Sequence, residues 1–281
     1  MAEHRTRYGV AFLCQRYQVS RSGFYAWEAR KRSRRSQDDE ELGAEIARIH
    51  RDSRGSYGSP RVHEQLKRRG IRCSNKRVAR LMREQDLRGR VSTLYRRSGG
   101  VHRFFEKTGN ARLEQPAPTR TDQIWVGDLT YRRLGKHWRY LATVMDLFSR
   151  RIIGWTLARN RTTTVTLRAL KRAITLRNPG PGLLFHSDRG IEYSAYGYQD
   201  FLRLRGIVPS MNRPRHCQDN AHMESFFHSL KAELAHQRVF NSDAELNASV
   251  ARYIDRFYNE RRIHSSLGYH SPVEFECLAN A

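Results

Sequence analysis

The apolar residues of this chain change rhythm near its middle. In the first part they recur at helical spacing: Val10, Phe12, Leu13 and Tyr17 set one cadence, and Val19-Ser20-Arg21-Ser22-Gly23 reads as a break before Phe24-Tyr25-Ala26-Trp27. That pattern predicts a short helix-turn-helix. Leu42, Ile46 and Ile49 mark a longer helix, and Ser59-Pro60 opens another through Val62 and Leu66, serine as cap and proline in the first turn. After Gly70, Ser74 caps a third helix with Val78, Leu81 and Met82 inward and Lys76, Arg77, Arg80 and Arg83 outward. Such a basic face suits a DNA groove. An amphipathic helix with ordinary surface charge is the plain alternative.

Gly99-Gly100 and Pro116-Ala117-Pro118 mark residues 98–120 as a linker. Beyond it the period shortens. Residues 123–133 and 137–148, around Leu134-Gly135-Lys136, and then 151–157 predict three neighbouring antiparallel strands. Helical spacing returns in 164–176 and 198–204, on either side of a short strand, Leu183-Leu184-Phe185, that ends at His186-Ser187-Asp188. From 220 to about 237, Met223, Phe226, Phe227 and Leu230 form an apolar stripe on a helix that also carries Glu224 and Lys231, two turns or roughly 10 Å apart on one face. Alternating strands and helices imply an α/β layer structure. The chain thus divides into a helix-turn-helix-like region with a basic connector (1–35), a second helix-turn-helix-like DNA-binding domain (36–97), the linker (98–120) and an α/β core with a C-terminal helical segment (121–281).

Charge narrows the partner. The 281 residues hold 52 Lys and Arg against 28 Asp and Glu, a net charge of +24. Up to residue 115 the count is 28 against 13, so the helical part is the more basic. Such an excess favours a polyanion and counterion release on binding; a merely solvated basic surface is the bland alternative. The run Arg30-Lys31-Arg32-Ser33-Arg34-Arg35 reads either as a connector that grips phosphates or as a solvated linker. Cys14, Cys73, Cys217 and Cys277 are far apart and form no paired-cysteine metal motif, which fits a reducing cytoplasm. No long apolar span and no signal-peptide pattern occur, so neither secretion nor membrane insertion is expected.

Three acidic residues stand out against this background: Asp128 after Ile124-Trp125-Val126, Asp188 in His186-Ser187-Asp188-Arg189-Gly190, and Glu224 in Asp219-Asn220-Ala221-His222-Met223-Glu224-Ser225. Carboxylates in apolar strand-like or helix-like settings are costly to hold unpaired, and divalent cations are the usual compensation. Metal-dependent phosphoryl transfer is the chemistry they suggest.

With Trp125-Val126-Gly127-Asp128-Leu129-Thr130-Tyr131, the Asp188 and Glu224 motifs extended through Phe226-Phe227 and Leu230-Lys231, and Tyr258-Asn259 through His264-Ser265 and Leu267-Gly268-Tyr269, the chain resembles the DDE transposases and retroviral-type integrases. The OrfB-type transposase of bacterial insertion sequences is the nearest likeness, and it covers most of the chain. The resemblance implies an RNase H-like core with a mixed five-stranded sheet and flanking helices, preceded by small all-α helix-turn-helix regions. It implies that Asp128, Asp188 and Glu224 match the family's metal-binding triad, and that DNA at element ends is hydrolysed and then joined to a target. Two Mg²⁺ (or Mn²⁺) ions about 3.5 to 4 Å apart suit that reaction; Asp128 would bridge both, with Asp188 and Glu224 each favouring one. A homo-oligomer that synapses two double-stranded DNA ends is expected, together with a companion protein from an upstream reading frame, all in the cytoplasm at the nucleoid.

Lys231 matches the family's basic position seven residues after the glutamate, where terminal DNA is expected. Arg189 is open to two readings, a phosphate contact beside the metals or an ion pair. His186 is not expected to be a ligand, since Mg²⁺ prefers oxygen. Asp146, in Val144-Met145-Asp146-Leu147-Phe148, reads as a turn residue. The 258–269 stretch is assigned to packing and DNA contact. One departure from the family lies between Met211 and Asp219, where relatives place a glycine near Arg215 and an aromatic ring near Gln218; altered movement or DNA contact of the loop presenting Glu224 is the expectation. Paired His and Cys residues of a retroviral zinc domain are also missing. A DNA-binding regulator with an idle triad, an RNase H-like nuclease that cuts without joining, and a tyrosine recombinase are the competing readings. The last leaves the carboxylate set unexplained.

Overall fold

The computed structural model describes residues 4, 7–29, 33–89, 109–214, 216–234 and 240–280. Helices α1 (Val10–Arg16) and α2 (Arg21–Glu28) form the first pair. Gly23 is not part of a break. Ser20 caps α2, its Oγ accepting the Gly23 N–H at 2.9 Å, and this first-turn bond outweighs the glycine's weak helix preference.

Three further helices, α3 (Arg34–Asp52), α4 (Ser59–Arg68) and α5 (Asn75–Glu84), close around Leu42, Ile46, Ile49, Val62, Leu66, Val78, Leu81 and Met82. Ser33 caps α3, so Arg34 and Arg35 belong to a helix rather than to a connector; Arg30, Lys31 and Arg32 lie outside the described residues. On α4 the cap position is taken by Gly58, and Ser59, expected as the cap, is the first helical residue and makes no cap bond. Pro60 keeps its expected place in the first turn. Ser74 caps α5, accepting the Arg77 N–H at 3.2 Å. Of the expected linker, 98–108 falls outside the described residues, and a 3₁₀ turn, Ala111–Glu114, leads into the core.

The core is a mixed five-stranded sheet ordered β3-β2-β1-β4-β5. Strands β1 (Ile124–Leu134), β2 (His137–Asp146) and β3 (Ile152–Ala158) form an antiparallel meander, while β4 (Leu184–Ser187) and β5 (Val208–Met211) run parallel to β1. The four residues of β5 include Pro209, which an edge strand tolerates. On one face α6 (Thr163–Arg177), α7 (Ile191–Ser194) and α8 (Tyr196–Leu204) cover Trp125, Val144, Ile153 and Phe185. On the other, α9 (Ala221–Leu234), α10 (Asp243–Ala251) and a π-helical turn, Arg252–Tyr258, cover Ile124, Val126 and Met145. Residues 235–239, into which α9 was expected to run, lie outside the described set. The last helix, α11 (Pro272–Ala279), begins in a capping box of Ser271 and Glu274 and buries Glu276 against Ser149, Arg151 and Arg177.

The 258–269 stretch straps the core to the three-helix unit. Ile263 is buried among the residues of α3, α4 and α5, and its N–H donates to the Tyr57 hydroxyl at 3.0 Å. That hydroxyl in turn donates to the Arg261 carbonyl at 3.3 Å, and Arg68 Nη2 donates to the Tyr269 carbonyl at 2.7 Å. Among the described residues, no helix is long and apolar enough to cross a membrane.

Candidate active site

Register places the first two carboxylates. Strands β1 and β4 pair from Ile124 with Leu184 to Gly127 with Ser187, and there β4 ends. The next residue on each chain is an aspartate, so Asp128 and Asp188 emerge side by side where β1 loses its neighbour. Gly127 is required at this point, because an added Cβ would lie 2.5 Å from the Phe185 ring. Its carbonyl accepts the Asn220 Nδ2–H at 3.2 Å, which ties the approach to α9 onto β1 beside Asp128. Glu224 follows in the first turn of α9, exposed.

The two aspartates are half-buried, and burial raises the cost of ionising each of them. Withdrawal from solvent pushes the Asp128 carboxyl well above its ordinary value, the Asp188 charge pushes the same way, and Glu224 adds less. The Leu129 N–H, bonded to Asp128 Oδ1 at 2.7 Å, and the Lys231 charge oppose this. Asp188 is likewise raised by burial, while the Gly190 N–H at 3.0 Å holds it down; Glu192 raises it and Arg161, ion-paired to Glu192 at 2.5 Å, lowers it. Asp128 and Asp188 are thus an under-compensated acidic pair. Glu224 stands near Asp128 yet apart: among the described residues no three His, Cys, Asp or Glu side chains already form a ligand cage.

Lys231, also on α9, has its Nζ 5.8 Å from the Tyr131 ring centroid. Desolvation lowers its ammonium below the ordinary value, Asp128 opposes that shift and Arg132 reinforces it. Arg189 Nε donates to the Asn212 carbonyl at 2.5 Å, which orients it from the loop beyond β5. His186 lies within hydrogen-bond distance of Ser210 Oγ (2.9 Å) and Asn212 Oδ1 (2.7 Å), and burial holds its pKa near 4. It is a neutral core group. Asp146 closes a turn: Oδ1 accepts from the Phe148 and Ser149 amides and Oδ2 from the Asp122 amide.

Asp219 and Asn220 belong to the Glu224 motif, and the sequence alone assigns neither a role. Asp219 accepts from the Arg213 amide and guanidinium, both at 2.9 Å at closest, and from Asn110 Nδ2 at 2.7 Å, so it stitches together the loop before α9. Arg215 lies outside the described residues. The acid–amide pair ahead of an apolar helix was the available signal.

On α5, Arg77 Nε and Arg80 Nη2 both reach Asp39 of α3, at 2.6 and 2.7 Å, and Arg80 also pairs with Glu84 at 2.8 Å. Lys76 and Arg83 are exposed and, among the described residues, make no ion pair. The outward face is therefore half braced and half open.

The chain is similar to known proteins over both its helical and its sheet-bearing parts. Residues 118–217 and 205–272 match families described as "Integrase core domain", and residues 36–95 match the "HTH-like domain". The insertion element IS600 uncharacterized 31 kDa protein of Shigella sonnei is 38% identical over 264 residues, covering 94% of this chain and 97% of that protein. Transposase InsF for insertion sequence IS3A of Escherichia coli is 33% identical over 276 residues, covering 98% and 96%. Among solved structures, the HTLV-2 integrase catalytic core domain in complex with magnesium aligns at a TM-score of 0.44 and 18% identity, covering 56% of this chain and 97% of that one.

An integrase core behind an HTH-like domain defines the class, an enzyme that transfers polynucleotide strands. The chain belongs to the DDE transposases of IS3-family insertion sequences, of the OrfB type, which integrate their element into DNA.

Proposed function

We propose that Asp128, Asp188 and Glu224 are the catalytic carboxylates of this transposase and hold two divalent ions, Mg²⁺ or Mn²⁺. The observation that carries this is the acidic pair itself, two adjacent aspartates whose ionisation is suppressed by burial, with the Asp188 charge adding to the shift at Asp128 and Glu192 to that at Asp188. The donor set fits a hard cation, being all oxygen, with His186 engaged elsewhere. Ions held by Asp128, Asp188 and Glu224 would supply Lewis acidity at the scissile phosphate and lower the pKa of an attacking water or 3′-hydroxyl.

The protein's own groups position the DNA. Lys231 holds a terminal phosphate within reach of Asp128, and Arg189, braced by the Asn212 carbonyl, holds another. Lys76 and Arg83 meet the backbone of the element end from α5, with Arg77 and Arg80 beside them. The three-helix unit within 36–97 reads the end, the core at 121–281 cuts and joins it, and copies of the chain synapse two ends in the cytoplasm at the nucleoid, with a companion upstream-frame protein.

Strand joining on labelled DNA that carries the element's end, with Mg²⁺ or Mn²⁺, tests the assignment. Wild type cleaves and joins, whereas Glu224→Gln and Asp128→Asn do neither while still binding the end. Joining retained by either variant would overturn it.

A further inference from the structure

The β1–β2 hairpin carries two aromatic rings that the core does not bury. Tyr131 is 54% exposed and Trp138 47%, and their centroids lie 5.1 Å apart at an interplanar angle of 89°. Among the described core residues, Tyr196 is the one other exposed large aromatic. Leaving two such rings in water forgoes a large burial gain, which makes a clustered pair informative.

Their place is informative too. Tyr131 lies three residues beyond Asp128, an odd offset that turns its ring to the opposite face of the strand, and the separation of about 10 Å along β1 equals about three stacked nucleotides. It sits on the part of β1 that has no β4 neighbour. Lys231, from the helix that carries Glu224, reaches to 5.8 Å from its centroid. The strand register sets Arg133 opposite Trp138, and Lys136 and His137 complete the hairpin. Exposed rings interleaved with cations on the rim of a phosphate-handling site match what single nucleic-acid strands bind, and the surrounding positive charge disfavours an apolar protein partner.

We propose that Tyr131 and Trp138 form a stacking platform for a nucleobase released from pairing within about three nucleotides of the scissile phosphate, with Lys231 on the adjoining phosphate. This rests on the assignment of the Asp128, Asp188 and Glu224 centre. A base must leave its partner, or be terminal, to offer a free face to a ring. The platform therefore acts by holding the end open, lowering the work of bringing one strand to the carboxylates.

Two measurements test it. End duplexes with 5-iodouracil at each of the last few positions are irradiated with the full-length protein in EDTA; a crosslink maps to the peptide holding Tyr131 or Trp138 at one position and is lost in Trp138→Ala. Joining of fully paired ends falls about tenfold in Tyr131→Ala and Trp138→Ala, is largely restored by Trp138→Phe, and recovers in the alanine variants when the terminal base pair is replaced by a mismatch. Absence of a crosslink at every position, wild-type joining by the double alanine variant, or an equal loss on paired and mismatched ends would each overturn the platform. The crosslink needs no metal, so failure of the carboxylate assignment, seen as joining by Glu224→Gln, is read separately.

Discussion

Arg262 and Glu233 face each other in the interior: the guanidinium Nε lies 3.1 Å from both carboxylate oxygens and Nη2 lies 2.9 Å from Oε1. Their side chains are 6% and 4% exposed. The Tyr253 hydroxyl donates to Glu233 Oε2 at 2.8 Å, and Arg262 also donates to Ser229 Oγ at 3.1 Å. Glu233 and Ser229 belong to α9, and Arg262 immediately precedes the Ile263 that docks into the three-helix unit. The pair joins the helix of Glu224 to the strap that holds the HTH-like unit.

Removing one partner strands the other charge in a dry site. Glu233→Gln should lower stability by about 3–5 kcal/mol in urea unfolding, and a double replacement of both residues by methionine should recover much of that. If the double variant restores stability but joins poorly, the pair sets the angle of α9 rather than merely holding the fold.

The Tyr57 hydroxyl is a smaller hinge point in the same contact. Tyr57→Phe keeps the ring in its core but leaves the Ile263 N–H and the Arg261 carbonyl without that partner. A loss of about 1–2 kcal/mol is expected. End affinity, measured by gel shift, should change little, while joining per bound complex should fall.

Asp39 restrains two arginines of α5. Asp39→Ala frees Arg77 for phosphates while Arg80 keeps Glu84, so affinity for random duplex should rise and the slope of log K against log salt should steepen by about 1. Lys76→Ala should make the slope shallower by about 0.9. Fluorescence anisotropy over a salt series reads both, and an unchanged slope in each would remove α5 from the DNA face.

Asp146 gives a pH signature. Burial raises its folded value to about 6, against the ordinary carboxylate value of 3.8. Between those values the folded chain keeps a proton that the unfolded chain has released. The stabilising contribution is therefore complete below 3.8 and lost as pH rises through 6, in all about 3 kcal/mol. Asp146→Asn should flatten the difference between unfolding free energies measured at pH 4 and pH 7.

Much of this was readable because local signals agreed with burial. The stripe of Met223, Phe226, Phe227 and Leu230, the Ser74 cap and the β-rich runs of β1 through β3 each state one structure. What was hidden depended on distance. Strand β5 is four residues long with a proline, and only pairing with β4 makes it a strand. Gly23 looked like a stop because the Ser20 cap that absorbs it is a three-residue relationship easily masked by the glycine itself. The acidic trio was legible as chemistry, but the unequal placing of its members follows from the 127–187 register, which no local pattern encodes.

Ile263 and Tyr269 complete the interior of a unit whose other members all come before residue 90. During synthesis those helices leave the ribosome long before their last wall exists, so the HTH-like unit gains its full interior only after most of the integrase core is already made. A prematurely terminated chain would carry an HTH-like unit with its interior incomplete.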